Sequence, residues 1–144
     1  MSARNLFYAL ILAVGLAPLA GGQAMAQAGL LTGGATKLEP ITLSSGKPLA
    51  DAPYELEAGK YYRIDIVSDG SAELAVVGPE FFRNIWINEV VINDIEVRPL
   101  GVDSIEFDRE GTATISFVTI RPGSFTLRIP GTTADSQRAL FNVK

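Results

Sequence analysis

The side chains that most often carry out catalysis or bind transition metals are missing from this sequence. Its 144 residues contain no histidine and no cysteine. Thiolate nucleophiles, serine–histidine catalysis, imidazole metal ligands and disulfides are therefore excluded within it. The chemistry left open depends on carboxylates, arginines and aromatic rings. These could bind a hard cation, form an acid–base pair, bind an anion or contact a partner.

The largest concentration of aromatic side chains lies in the middle of the chain, directly after Gly78-Pro79. Large aromatic residues and arginine supply much of the binding energy at protein interfaces. Alternation cannot place two adjacent rings on the same face of a strand, so we expect at least one of them to be exposed. The alternative is that the rings cover one end of the core. The candidate partner-binding residues are Glu80, Phe81, Phe82, Arg83 and Trp86.

Two other groups of charged residues are weaker candidates for a site. Carboxylates before Gly111 could bind Ca²⁺, although their spacing matches no known calcium loop and also suits an exposed turn. No spacing indicates a carboxylate pair for glycoside hydrolysis. We expect the arginines of the strand region to form salt bridges to acids such as Asp65 or Glu80. The alternative is that Arg121 recognises an anionic group. The carboxylates are Asp103, Glu106, Asp108 and Glu110, and the arginines are Arg63, Arg83, Arg98, Arg121 and Arg128.

Charge excludes one further class of function. The formal net charge is −4 and the isoelectric point is near 4.8. Nucleic-acid binding needs clustered lysine and arginine to neutralise phosphates, so we expect no nucleic-acid partner.

The first 26 residues have the pattern of a secretory signal peptide. Arg4 precedes an unbroken run of apolar residues and glycine over Leu6–Ala17, and Ala24-Met25-Ala26 fits the small-x-small cleavage rule. We expect cleavage after Ala26 and a periplasmic product that is not an integral membrane protein. An uncleaved anchor is the alternative. Residues 27–36, rich in glycine and alanine, are predicted to form a flexible arm, and residues 37–144 a single domain.

Short alternating segments predict an all-β sandwich or barrel of about 7–9 strands. The clearest strand is Tyr61–Ser68. A bulge is expected at Asn88-Glu89, a two-residue hairpin turn at Asn93-Asp94, and a positive-φ turn at Gly111. Phe117 and Phe125 fall on the apolar faces of strands that we expect to pair with each other.

Three segments resemble the cupredoxin-like family. Tyr54–Ile64 resembles the family's opening motif, in which Ala-Gly-Lys or Ala-Gly-Asp joins two strands. Phe117–Ile129 resembles the family's strand pair with the pattern Phe…Pro-Gly-x-Tyr/Phe-x-x-x-Cys, and Phe141–Val143 resembles its closing strand. The resemblance implies a Greek-key sandwich. Ile129 stands where the family's copper-binding cysteine would be, so the resemblance does not extend to a blue-copper site.

The sequence therefore predicts a non-enzymatic, cupredoxin-like binding or accessory protein without a cofactor. The resemblance implies a protein partner in a redox or metal-handling system. One alternative is a metal-handling protein that binds copper or a hard cation through carboxylates. The other is a carboxylate-dependent hydrolase.

Overall fold

A computed structural model describes Leu31 and residues 34–144 of the chain. The predicted signal peptide lies outside the described residues, as does most of the predicted arm. The arm's last residue, Thr36, already belongs to a strand. No helix within the described ranges is long and apolar enough to cross a membrane.

The described residues form eleven strands and one short α-helix. In chain order they are β1 (Thr36–Lys37), β2 (Ile41–Leu43), β3 (Tyr54–Leu56), β4 (Tyr61–Ser68), β5 (Leu74–Val77), α1 (Pro79–Arg83), β6 (Ile85–Ile92), β7 (Ile95–Val97), β8 (Ser104–Phe107), β9 (Gly111–Thr119), β10 (Gly123–Arg128) and β11 (Arg138–Val143), with a 3₁₀ turn at Asp135–Gln137.

The strands form two sheets that pack face to face. The six-stranded sheet has the order β1-β4-β9-β6-β7, and β2 also pairs with β4. The five-stranded sheet has the order β3-β11-β10-β5-β8. Alternating side chains point into the space between them: in β4, Tyr62, Ile64 and Ile66 are buried and Arg63 is exposed. The predicted all-β sandwich is confirmed, but the described residues form eleven strands where about 7–9 were expected, because short strands such as β1 and β7 have too few residues to show alternation.

Two local predictions are also confirmed. The register of β6 against β9 shifts between Ile87 and Glu89, where the bulge was expected. Asn93 and Asp94 have φ of 49° and 63°, which is the left-handed conformation that a two-residue hairpin turn requires.

Gly70 has φ of 71°, and a Cβ there would lie 2.8 Å from the backbone nitrogen of Glu110. Glycine therefore permits the close approach of two turns.

Two predictions about the C-terminal half are wrong. Gly111 is not in the positive-φ region but begins β9, because the chain crosses there from one sheet to the other instead of turning back. The strands of Phe117 and Phe125 do not pair with each other. β9 pairs with β4 and β6, whereas β10 pairs with β11 and β5. Alternation fixes the buried face of a strand but not the identity of its neighbour.

Candidate partner-binding site

The helix α1 turns the aromatic segment into the core. Proline at its first position has the fixed φ that suits a helix start. A Cβ at Gly78 would lie 2.6 Å from the carbonyl oxygen of Thr126, so glycine lets the helix start close to β10. Phe81 is fully buried, and its ring centroid lies 5.6 Å from that of Phe117 and 4.2 Å from that of Phe141.

The expectation that at least one of the two adjacent phenylalanines is exposed is wrong. Phe81 is 0% exposed and Phe82 is 5% exposed. The expectation assumed a strand, in which neighbours point in opposite directions. In one helical turn they lie about 100° apart, so both rings reach the core and pack edge to face at 5.6 Å. These two side chains belong to the core.

The charged members of the segment remain at the surface. Arg83 Nη1 lies 3.6 Å from Glu80 Oε1, and both side chains are exposed. This is one of the predicted salt bridges, and an exposed pair of this kind contributes little stability. Arg83 also borders an open groove of about 460 Å³ between α1 and the loop of residues 100–103. Leu100 in that loop is fully exposed.

Trp86 lies on the outer face of the six-stranded sheet. Its neighbours Ile85 and Ile87 are buried, whereas Trp86 is 50% exposed. Val118 lies directly opposite Trp86 on one side and Tyr61 on the other, so the three side chains form a row across three strands. Val118 is 8% exposed although it points outward, because the rings beside it shield it.

Ile120 extends this apolar row toward the end of the sheet. Its backbone N–H donates a hydrogen bond of 2.9 Å to the carbonyl oxygen of Asn84. By alternation its side chain shares the face of Val118, and it is 54% exposed. We refer to Tyr61, Trp86, Val118 and Ile120 as the Trp86 face.

A hydrogen-bonded network borders the Trp86 face. Asn88 lies at the bulge of β6, and its side-chain nitrogen donates to the hydroxyl oxygens of Tyr61 at 3.2 Å and Ser116 at 3.3 Å. Arg98 in turn donates to the side-chain oxygen of Asn88 at 3.2 Å. The network fixes the hydroxyl of Tyr61 beside Val118 through hydrogen bonds within the chain.

The carboxylates before Gly111 do not assemble into a site. All four side chains are exposed on β8 and the loops beside it. Among the described residues, no group of three or more acidic side chains lies close enough together to hold a metal ion. Arg63 lies 3.9 Å from Asp65, as one of the predicted salt bridges. Arg121 is exposed and has no carboxylate partner within the described part of the chain.

The sequence reasoning missed a cleft beside β2 and β3. It has a volume of about 340 Å³ and is lined by Glu39, Asp51, Tyr54 and three prolines. Burial, followed by the nearby charges of Glu39 and Asp51, raises the pKa of Tyr54 to about 12. The prolines at 40, 48 and 53 indicate a rigid loop in the sequence. The alternation of apolar and polar residues does not show that Glu39 and Asp51 lie together beside that loop.

Comparison with known proteins identifies the fold. No known protein-family model matches the chain, and no curated protein does. A solved multicopper oxidase matches with a TM-score of 0.56 and 11% identity, over 76% of this chain and 44% of that chain. The chain has a cupredoxin-like fold.

Two further structures agree. The copper nitrite reductase from Nitrosomonas europaea matches with a TM-score of 0.52 and 16% identity, over 66% of this chain and 33% of that one. Lac15 from a marine microbial metagenome matches with a TM-score of 0.53 and 21% identity, over 76% of this chain and 27% of that one. This cupredoxin-like chain therefore spans less than half the length of each of these three proteins, and the likeness concerns the fold.

Proposed function

We propose that this chain is a non-enzymatic, exported binding protein that uses its cupredoxin-like sandwich to hold a protein partner at the Trp86 face. The observation that carries the proposal is the half-exposed indole of Trp86 on an ordered outer sheet face. A tryptophan that is half exposed leaves a large apolar surface in contact with water. Binding a partner there removes that surface from water, and tryptophan is among the residues that most often dominate binding energy.

The geometry around Trp86 supports a protein partner. The exposed side chain of Ile120 extends the apolar surface, while the hydroxyl of Tyr61 and the network of Asn88 and Arg98 provide polar groups at its border. An apolar centre with a polar rim is the usual composition of a protein interface. Of the residues predicted from sequence, Trp86, Arg83 and Glu80 remain available at the surface, and Phe81 and Phe82 support them from the core.

We also propose that the chain does not carry blue copper. A type 1 copper site takes two imidazoles and one thiolate, and the sequence contains no histidine or cysteine. Ile129, which the resemblance places at the cysteine position, is 8% exposed and packs in the core. The donor chemistry of these side chains does not fit the metal of the similar proteins, so an accessory role is favoured over electron transfer through copper.

Export is the third part of the proposal. Its support is the order of Arg4, the apolar run of residues 6–17 and Ala24-Met25-Ala26. The intact mass of protein recovered from the periplasm tests it, and we expect the mass of residues 27–144. Recovery from the membrane with residues 1–26 attached would show an anchor instead.

The test of the Trp86 face is crosslinking in the periplasm of cells that express tagged protein. We expect Trp86→Ala and Ile120→Ser each to lose a crosslinked protein that the wild type retains, with unchanged melting curves. The matched control is Ile92→Ser, which removes an exposed apolar side chain from the other end of β6. If the control loses the same crosslink, or if the Trp86 and Ile120 variants keep it, the Trp86 face is not the binding surface.

A further inference from the structure

The strand β7 is an uncovered edge of the six-stranded sheet. It pairs with β6 on one side and is the last strand of the sheet on the other. All three of its residues are exposed, with Ile95 at 66% and Val97 at 47%. The outer side of an edge strand presents N–H and C=O groups to which another strand can pair. The direction of these backbone groups along β7 determines which strand can pair with it.

Hairpin geometry determines which backbone groups point outward. A two-residue turn makes the flanking residues Ile92 and Ile95 a pair that is hydrogen-bonded within the hairpin. Backbone groups alternate along a strand, so those of Ile95 and Val97 point toward β6, and those of Glu96 point outward. The same register places Arg98 opposite Glu89, so the alternation points the backbone groups of Arg98 outward as well. Its guanidinium lies 3.2 Å from Glu89 and 3.5 Å from Glu96 of the same chain, so in a dimer it would contact acids of both copies.

Only residues with outward-facing groups can exchange hydrogen bonds with a second antiparallel strand, which leaves few registers for self-pairing. Placing Glu96 opposite Glu96 of another copy opposes two negative charges. Placing Arg98 opposite Arg98 of another copy opposes two positive charges. Placing Glu96 opposite Arg98 of the other copy gives two pairs of opposite charge, and opposite charges in direct cross-strand positions are favourable.

We propose that β7 pairs antiparallel with β7 of a second copy of this chain, with Glu96 opposite Arg98 of the other copy and Val97 on the two-fold axis. Glu96 and Arg98 each exchange an N–H and a C=O with the partner strand, which gives four backbone hydrogen bonds. The two sheets then form one continuous sheet of twelve strands, twice the six of a single copy. The side chains of Val97 from both copies meet at the centre.

The strand also limits this interface. Pro99 follows Arg98 and has no N–H, so it ends the pairing. The left-handed conformation of Asp94 ends it at the other side. An interface of this length is small, so we expect a dimer that forms and dissociates with concentration in the micromolar range or above. The Trp86 face lies toward the other end of β6, and Arg98 is the residue that takes part both in this interface and in the network that borders that face.

A charge-swap series measured by sedimentation velocity over a concentration range tests the proposal. Glu96→Arg and Arg98→Glu each oppose like charges in the dimer, and we expect each to weaken dimerisation at least about tenfold. An equal mixture of the two variants restores both opposite-charge pairs, so it should form a heterodimer. The double variant Glu96→Arg/Arg98→Glu should dimerise with itself. Melting curves of each variant verify that it is folded.

The matched control is Glu106→Arg, which changes an exposed acid on β8, the edge strand of the other sheet. We expect it to dimerise as the wild type does. The proposal is overturned if the wild type stays monomeric up to about millimolar concentration, or if the single charge variants dimerise normally. Failure of the mixture to form a heterodimer, or loss of dimer in the Glu106 variant, also overturns it.

Discussion

The aromatic cluster around Phe81 and the β6–β7 hairpin are both rich in apolar side chains, yet only the first is covered. Phe81 is 0% exposed, whereas Ile95 is 66% exposed. Val90, opposite Val97, is buried on the inner face of the sheet, so Ile92, Ile95 and Val97 share that face. The five-stranded sheet covers the inner face at Val90 but leaves the hairpin end open. Burial of an apolar residue is therefore decided by where the second sheet ends, which the residue type alone does not reveal.

The strongest test of this contrast removes a ring from the covered region. Phe81→Ala deletes a side chain that contacts the rings of Phe82, Phe117 and Phe141. We expect a loss of about 3–5 kcal/mol in the free energy of unfolding, because the cavity cannot fully collapse. Phe117→Ala, at the same cluster, should cost a similar amount. Denaturant unfolding measures both, and a loss below about 1 kcal/mol would place Phe81 outside the core.

Phe125 should give a smaller effect than either. It lies opposite Phe141 in β11, but it is half-buried near the start of β10. We expect Phe125→Ala to cost about 1–2 kcal/mol, since only part of the ring leaves an apolar environment. Denaturant unfolding of Phe117→Ala and Phe125→Ala side by side tests the ranking. Equal losses would mean that the end of the sandwich at β10 is as well packed as its centre.

Sequence reasoning succeeded where a segment was long enough to show a period. The alternation of β4 and β9, the bulge of β6 and the turn at Asn93-Asp94 all have local causes. The helix α1 has only five residues, too few for a helical period, so the sequence suggested a strand or loop there. Which strands pair is a long-range property, and for that reason the expected pairing of the Phe117 and Phe125 strands was wrong.

The candidate site shows the same division. Trp86 was identified by its residue type, but Tyr61 lies in β4 and Ile120 directly after β9, 25 and 34 positions away in sequence. Only the registers of β4 and β6 against β9 bring them together. The cleft at Tyr54 likewise combines Glu39 and Asp51 from separate loops. No local sequence pattern shows that these side chains lie close together in the fold.

A third measurement concerns the charged turn at Asp69, which directly follows β4. Asp69 accepts hydrogen bonds from the hydroxyl of Ser44 at 2.5 Å and the N–H of Ser71 at 2.9 Å. These bonds, that from Ser44 first, lower the pKa of Asp69 to about 2. The stability they contribute is present above about pH 4, the carboxyl's unfolded value, and is lost as the pH falls through about 2.

We therefore expect acid unfolding of the wild type to include a component between about pH 4 and pH 2 that Asp69→Asn lacks. Melting temperatures across this range measure it. The matched control is Asp108→Asn, because Asp108 is exposed and makes no side-chain hydrogen bond among the described residues. If Asp69→Asn and Asp108→Asn alter the pH profile equally, the turn does not hold the end of β4 in the way the structure shows.

The smallest effect is expected at the uncovered hairpin. Ile95→Ala removes the same atoms as an isoleucine-to-alanine change in the core would remove. However, 66% of the Ile95 surface is already in contact with water. Little apolar surface is transferred on folding, so we expect the free energy of unfolding to change by less than about 0.5 kcal/mol. Ile115→Ala on β9, where the isoleucine is fully buried, is the matched control and should cost about 2–5 kcal/mol. Both are measured in dilute protein, because self-association through β7 would add stability that depends on protein concentration. A loss above about 1 kcal/mol for Ile95→Ala under these conditions would mean that part of the same chain covers the hairpin, and the contrast between the two regions would then disappear.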